Sequence, residues 1–591
     1  MNIPFKSYWQ LLARYLRPRR LRVLVLAVLL FGSISLELIN PQITRFFIDT
    51  ATSGRAEVFS TLLVAGIAYI GLAILHQSMR LAATYVGDGV AWDATNDLRA
   101  DLALHLLKLD LGFHNARTPG ELIERVDGDV GQLNTFFSQF ALRLLSSIVM
   151  LVAVLALMWH EDWRLGAAMT LFAAIAAGLL SRIGKLGTAR WQATDQAAAE
   201  FYGFVGERLT GTEDIRSSGA VGYTMWRLYA QFHKWFPLSF KAEIVGNLGW
   251  MSTLLFYALA DLTVFGVGAW LFGSGAITLG TIYLAYDYVY LALRPINELR
   301  WVIDDLQKSS ASITRVRELL DTPSKISDLA LETTPISHSS ESDRMGVQFD
   351  VVTFGYRPTE TVLHDVSFDL QPGEVLGLLG HTGSGKTTIA RLLLRLYEPQ
   401  SGGIRLLPAM TATHELPVAQ LRQRIGLVTQ DVQLFQASVR DNLTLFDARI
   451  GDARIHAALE QLGLTAWLQH LPNGLDTRLG AQGSGLSAGE AQLLAFTRVF
   501  LRDPDIVILD EASSRLDPAT EQLIERAVTE LLNGRSAIII AHRLATVQRA
   551  DKIMILERGH SVEYGTRAAL VADADSHFNR LLIDSPIKLG A

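Results

Sequence analysis

The chain has 591 residues, a net charge of −6 at neutral pH and no cysteine. Disulfides, thiolate metal sites and cysteine nucleophiles are therefore excluded, and the modest acidic balance gives no reason to expect a nucleic-acid partner. The length exceeds one ordinary domain, and the expected division is 1–320, a linker at 321–345, and 346–591.

Taken in chain order, the first half carries six apolar segments, near 21–40, 61–79, 144–159, 165–180, 245–273 and 276–293. Several reach the ~20 residues that a helix needs to cross a bilayer, and the short ones extend into their flanks. Arg14, Arg17, Arg19, Arg20 and Arg22 precede the first segment, Arg182, Lys185 and Arg190 follow the fourth, and Arg294 follows the sixth. That distribution places both ends of an even set of crossings in the cytoplasm, with the lipid bilayer as the surrounding partner. The first apolar run lacks the small-residue cleavage site of a secretory signal. Long polar stretches at 80–137 and 181–241 are expected to continue the helices as cytoplasmic stalks, turning near 113–120 and 211–215. A further stalk at 296–321 leads into a Ser/Thr/Asp-rich linker.

From 346 onward the pattern is that of a soluble α/β protein. Tyr356 lies in a strand-like run and is a candidate for stacking on a base. A strand at 375–379 runs into Gly380, His381, Thr382, Gly383, Ser384, Gly385, Lys386, Thr387 and Thr388, and then into an amphipathic helix. This is the phosphate loop G-x-x-x-x-G-K-[ST]: its backbone N–H groups ring the phosphates, Lys386 reaches the β and γ oxygens, and the Thr387 hydroxyl holds Mg²⁺. Gln430 ends a further strand-like run. The run 506–509 is a buried strand ending in Asp510 and Glu511, where a carboxylate is placed to anchor Mg²⁺ and its neighbour to polarise a water. Another strand, 537–541, ends at His542, a candidate γ-phosphate sensor.

This ordered set resembles the ATP-binding cassette superfamily, and the six-segment front half with its long stalks resembles the exporter branch, in which each chain is a half-transporter. The resemblance implies a multidomain membrane protein: an all-α six-helix transmembrane domain followed by an α/β P-loop NTPase domain, using ATP and Mg²⁺. It casts Tyr356 as the adenine-stacking aromatic, Gly380 to Thr388 as Walker A, and Gln430 as the Q-loop residue that links Mg²⁺ and the attacking water to the membrane half. Asp510 and Glu511 become the Walker B aspartate and catalytic glutamate, residues 514–517 the D-loop, and His542 the switch histidine. The turns near 113–120 and 211–215 would be coupling helices. Ser487 and Gly489, in Leu486-Ser487-Ala488-Gly489-Glu490, match the signature that caps the ATP held by a second half-transporter.

The departures cluster in the parts lent to a partner. LSAGE stands for the usual LSGGQ, residues 477–483 lose a charged pair at Ala481 and Gln482, and Arg515 replaces the usual alanine. The resulting expectation is a heterodimer with one active site, the alternative being a homodimer with two slower sites. Glu37, His76, Asp261 and Asp287 lie in the apolar segments, and ionisable groups at that depth point to function. Acidic groups among tyrosines suit a cationic amphipathic cargo; interhelical hydrogen bonding is the competing account. The expected activity is ATP-driven export of a small hydrophobic, lipid or peptide substrate across the cytoplasmic membrane. A non-transporting regulatory subunit is the runner-up.

Overall fold

The computed structural model describes residues 13–53, 58–139, 144–326, 344–357, 359–480, 486–510, 518–541 and 544–584. By contact the chain separates into two units, Met1–Leu107 with Pro119–Thr322, and Lys108–Thr118 with Pro323–Ala591.

The first unit is helical. Its long members are α1 (Arg20–Ala51), α2 (Phe59–Lys108), α4 (Ser146–Glu161), α5 (Trp163–Thr210), α7 (Val221–Gly273) and α8 (Leu279–Leu320), with a short cross-helix α6 (Thr212–Ser217) between α5 and α7. Each of the six apolar segments lies within one of these helices, or within a turn of its start. The polar stretches prolong the same helices without a break, so that α7 runs for 53 residues. Among the described residues, Ala13–Ala51, Phe59–Lys108 and Val221–Gly273 are long and apolar enough to cross a membrane, and Ser146–Glu161 and Trp163–Leu179 are shorter apolar helices.

The turns are fixed by local chemistry. Asp162 caps α5 by accepting the Arg164 N–H at 2.8 Å, and Thr278 caps α8 through the Thr281 N–H at 3.1 Å. Such caps satisfy N–H groups that a helix start leaves without partners. Where helices touch, the buried residues are often small, as with Ala83, Ala91 and Ala94 on α2 and Ala260 on α7.

The second unit is α/β. A mixed sheet has the order β10–β9–β3–β8–β7–β6, and an antiparallel sheet the order β2–β1–β4–β5. The strands are β1 (Gly346–Phe354), β2 (Leu363–Leu370), β3 (Val375–Leu379), β4 (Ser401–Leu407), β5 (Thr411–Ala412), β6 (Ile425–Val428), β7 (Ile506–Asp510), β8 (Ser536–Ile540), β9 (Lys552–Glu557) and β10 (His560–Thr566). β6, β7, β8, β3 and β9 are parallel neighbours, and β10 closes the edge antiparallel.

The unbroken apolar runs follow from burial on both faces. Leu376, Leu378, Ile506, Ile508, Ile538 and Ile540 enter one core, shared with Phe349 and Phe368 of the antiparallel sheet. Val375, Leu379, Val507, Leu509, Ala537 and Ile539 enter the other. That two-residue alternation fixes register, because a one-residue slip would exchange the two cores.

The short helix α3 (Leu111–Asn115) lies between two long helices in sequence, yet its contacts place it with the second unit.

Candidate active site

Register sets the site. Leu378 pairs with Ile540, and Ile540 with Asp510, so three adjacent parallel strands end level. Val428 pairs with Leu509 on the next strand, which brings exposed Gln430 to the same edge. Ligands of open parallel sheets bind beyond the carboxyl ends of the strands.

The phosphate loop leaves β3 at this edge and enters helix α9 (Lys386–Leu393). Gly380 has φ +144°, and a Cβ there would lie 2.1 Å from the Leu556 carbonyl oxygen; Gly385 has φ +107°, with a Cβ 2.5 Å from Leu363 Cδ2. Only glycine tolerates both conditions. The loop is braced by the Gly559 N–H, which donates to the Ser384 carbonyl at 3.1 Å. His381, Thr382 and Gly383 form its exposed rim, while Ser384, Gly385, Lys386 and Thr388 are buried.

Lys386 Nζ donates to the Gly380 and His381 carbonyl oxygens at 2.7 and 3.1 Å, which folds the ammonium back over its own loop. The Ser384 hydroxyl is buried without a hydrogen-bond partner among the described residues. A buried hydroxyl is rarely left so unless something else supplies the bond. Thr387 Oγ1 donates to Asp510 Oδ2 at 3.1 Å, although 123 positions separate the two residues. A hydroxyl, a carboxylate and the nearby Gln430 amide form the hard oxygen set that Mg²⁺ prefers.

Tyr356 presents its ring outward with 40 % exposure. Its hydroxyl is held by Thr388 Oγ1 at 3.0 Å and accepts from Arg391 Nη1 at 3.0 Å. Phe354 and Tyr397 meet its ring edge-on, both at 5.1 Å between centroids. The ring is therefore a fixed, open platform beside the loop. Burial pushes the Tyr397 phenol above its ordinary pKa, and its oxygen accepts from Asn115 Nδ2 of α3 at 2.7 Å. Asp110 caps α3 by accepting the Phe113 N–H at 3.0 Å, and also takes the Lys325 N–H at 3.0 Å. Burial opposes its ionisation, but those backbone donors outweigh it and hold the carboxyl below its usual range.

Ser487 and Gly489 stand apart from this group, at the start of helix α11 (Ala488–Arg502), which packs against α10 (Val439–Thr444) and α12 (Pro518–Leu532). Exposed Ser487 accepts the Glu490 N–H at 3.2 Å, and the Glu490 carboxylate accepts the Ser487 N–H at 2.7 Å, a capping box. The other Glu490 oxygen accepts from Trp467 Nε1 at 2.9 Å. The charge that distinguishes LSAGE is thus spent within its own helix cap.

Glu511 and His542 follow Asp510 and Ala541 in the chain but lie outside the described residues, as do Ala481, Gln482 and residues 514–517. Arg391, Tyr397 and Asn115 were missed from the sequence. The one available signal was Arg391 at a basic position one turn beyond the loop.

Two family models match the chain: ABC transporter over residues 363–514 and ABC transporter transmembrane region over residues 23–290. A fatty acid ABC transporter ATP-binding/permease protein of Mycobacterium tuberculosis is 31% identical over 481 residues, 80% of this chain and 74% of that protein. An ATP-dependent lipid A-core flippase of Ralstonia nicotianae is 29% identical, covering 96% of this chain and 94% of its own length. A solved bacterial Atm1-family ABC exporter with ATP bound superposes with a TM-score of 0.81 at 26% identity, covering 97% of this chain and 99% of its own.

Proposed function

The chain belongs to the ATP-binding cassette transporter family, as an exporter-type half-transporter that spans the membrane and dimerises, and from that premise we propose that it drives export of a hydrophobic or amphipathic molecule across the cytoplasmic membrane at the expense of ATP. The Thr387–Asp510 contact at 3.1 Å carries the reading. It closes an oxygen-ligand set against the phosphate loop in a chain whose other unit is built of membrane helices.

In this mechanism the base stacks on Tyr356, and the loop N–H groups and the Ser384 hydroxyl take phosphate oxygens. Lys386 trades its two carbonyl partners for the β and γ oxygens. Thr387, Gln430 and Asp510 would hold Mg²⁺, which neutralises charge on the β and γ oxygens when bound. Glu511 orients the attacking water and draws its proton as the bond from γ-phosphorus to the bridging oxygen breaks. His542 donates to the γ-phosphate, stabilising the charge that develops there. Ser487 and Gly489 cap the ATP of the opposite subunit, so neither subunit alone completes a site. Both termini and the cassette face the cytoplasm.

The second subunit is proposed to be a different chain, on the strength of Ala488 and Arg515 in the lent parts. The engagement of Glu490 by Ser487 and Trp467 favours the second reading, a homodimer with two working sites. Purification of a tagged chain from its native host, with identification of the polypeptide that accompanies it, decides between them. A non-transporting role gains nothing from relatives that are themselves exporters and permeases.

Glu511→Gln in proteoliposomes is expected to retain ATP binding while lowering turnover about 100-fold or more. Turnover equal to the parent protein would remove Glu511 from its role.

A further inference from the structure

Across residues 245–293 there is no lysine, arginine, histidine or glutamate, and Asp261 and Asp287 are the sole carboxylates. Asp261 lies about 18 Å from the Gly273 end of α7 at ~1.5 Å per residue, and Tyr290 stands at a similar depth on α8. The Tyr290 hydroxyl donates to Asp261 Oδ2 at 3.3 Å. Asp261 Oδ1 is buried with no hydrogen-bond partner among the described residues.

Aromatic rings surround this carboxylate. Tyr290 stacks on Tyr257 of α7 with centroids 5.1 Å apart and planes 25° apart. Its ring meets Tyr286 edge-on at 5.1 Å, and Tyr286 approaches Tyr283 at 6.0 Å. On α8, Tyr283, Tyr286, Asp287 and Tyr290 follow helical spacing and form one face. Tyr283 and Tyr290 are about 40 % exposed there, and Asp287 is half-buried.

A carboxylate facing hydrocarbon is costly, so a half-exposed face that carries one at this depth borders water or protein. Among the described residues, pairing of Tyr290 with Asp261 satisfies one oxygen of the four and gives no reason for the other tyrosines. Their ring faces attract cations, by more when desolvated, and two carboxylates on a stretch, 245–293, that carries no basic residue repel an anionic headgroup such as that of a fatty acid.

We infer that the Asp261–Asp287 tyrosine face is a binding subsite for a lipophilic organic cation. Its use as an export subsite rests on the function proposed above; the binding itself does not. Positive charge sits over the rings of Tyr286 and Tyr290, the free Asp261 oxygen and Asp287 neutralise it, and the apolar bulk lies along α7 and α8.

The test uses two ions of the same shape and opposite charge, tetraphenylphosphonium and tetraphenylborate. Each is titrated into the full-length protein in nanodiscs, with whatever partner chain it retains, and partition into empty nanodiscs is subtracted. The cation is expected to bind at least tenfold tighter than the anion. The double substitution Asp261→Asn with Asp287→Asn abolishes that preference, and Asp287→Glu retains it. Equal affinities in the parent protein, or a preference that survives the double substitution, overturns the subsite, and the first comparison needs no variant to fold. ATP turnover of the same preparations addresses the export reading separately. A preparation that shows the cation preference but hydrolyses no ATP sinks that reading and supports the subsite.

Discussion

The two units of this chain are built inside out with respect to each other. In the cassette the large aliphatic side chains are interior, and Ile538 and Leu376 are fully buried. In the helical unit Leu24 and Ile67 point outward, 61 % and 63 % exposed, while Ala176 and Ala260 are fully buried at helix contacts. The difference follows from the solvent each unit meets. Water drives large apolar groups inward and rewards their burial by area. Lipid does not distinguish a leucine from its own tails, so helices associate through close packing of small residues and a few polar contacts. Chemistry is distributed accordingly: a helix satisfies its own backbone, whereas a parallel sheet leaves open loops at its carboxyl edge, where Thr387 and Asp510 meet.

The hardest blow to this contrast would come from Asp129, a polar contact inside the helical unit but beyond its apolar segments. It is 2 % exposed and accepts from Arg315, from Ser312 at 2.9 Å and from Arg125 at 3.2 Å. Asp129→Ala removes a buried acceptor from three donors, and because the Arg315 side chain is 38 % exposed and partly screened by water the expected cost is about 3 kcal/mol, read as a fall in the temperature at which ATPase activity is lost. Burial raises the Asp129 pKa, but the donors from Arg315, Ser312 and Arg125 outweigh it and the net shift is downward. A carboxylate depressed in the fold stabilises it above the unfolded value, about 3.9, and that contribution is lost as pH falls through the lower folded value. The parent protein should therefore lose stability more steeply below about pH 4 than Asp129→Asn does. Equal slopes would mean that the donors around Asp129 stabilise its ionised form no more than water does.

Opposite substitutions in the two units sharpen the comparison. Ile538→Ala empties part of a two-sided core and is expected to cost about 3 kcal/mol, measured as the same inactivation temperature. Ala260→Leu overfills a helix contact and is expected to cost about 2 kcal/mol, read from the melting of the detergent-solubilised protein. If Ala260→Leu is neutral, close approach is not what holds α7 in place.

The strands of the cassette were legible because each is a short apolar run that ends in a residue with chemistry, and Asp510 after Ile506–Leu509 shows both features at once. The six long helices were legible as hydrocarbon-length segments, and the charged, helix-like stretches after them were legible as stalks. Composition changes at the membrane surface while the helix does not, and α5 extends through Arg190 to Thr210, as far as the turn expected near 211–215. The Asp129 cluster escaped notice because its partners lie 183 and 186 positions away on α8. The order of the antiparallel sheet was equally hidden, since pairing between β1 and β4 depends on cross-strand neighbours that no local pattern encodes. In the signature, LSAGE shows a charge at Glu490 but not what that charge meets. Its capture by Trp467, 23 positions earlier, required the fold.

The smallest effect probes the place where the contrast is least clean, the contact of α3 with Tyr397. Tyr397→Phe keeps the ring against Tyr356 and Phe354 and removes the oxygen that accepts from Asn115 at 2.7 Å. Loss of one partly exposed hydrogen bond is expected to cost about 1 kcal/mol and to lower the inactivation temperature by roughly 2–4 °C. Because the ring alone supports the Tyr356 platform, KM for ATP should stay within about twofold, a change worth under ~0.5 kcal/mol. A rise in KM of tenfold or more would mean that the hydroxyl, and through it α3, positions the base platform. A segment that by sequence sits among the membrane helices would then be part of the nucleotide site, and the division between a unit that packs and a unit that reacts would fail at that point.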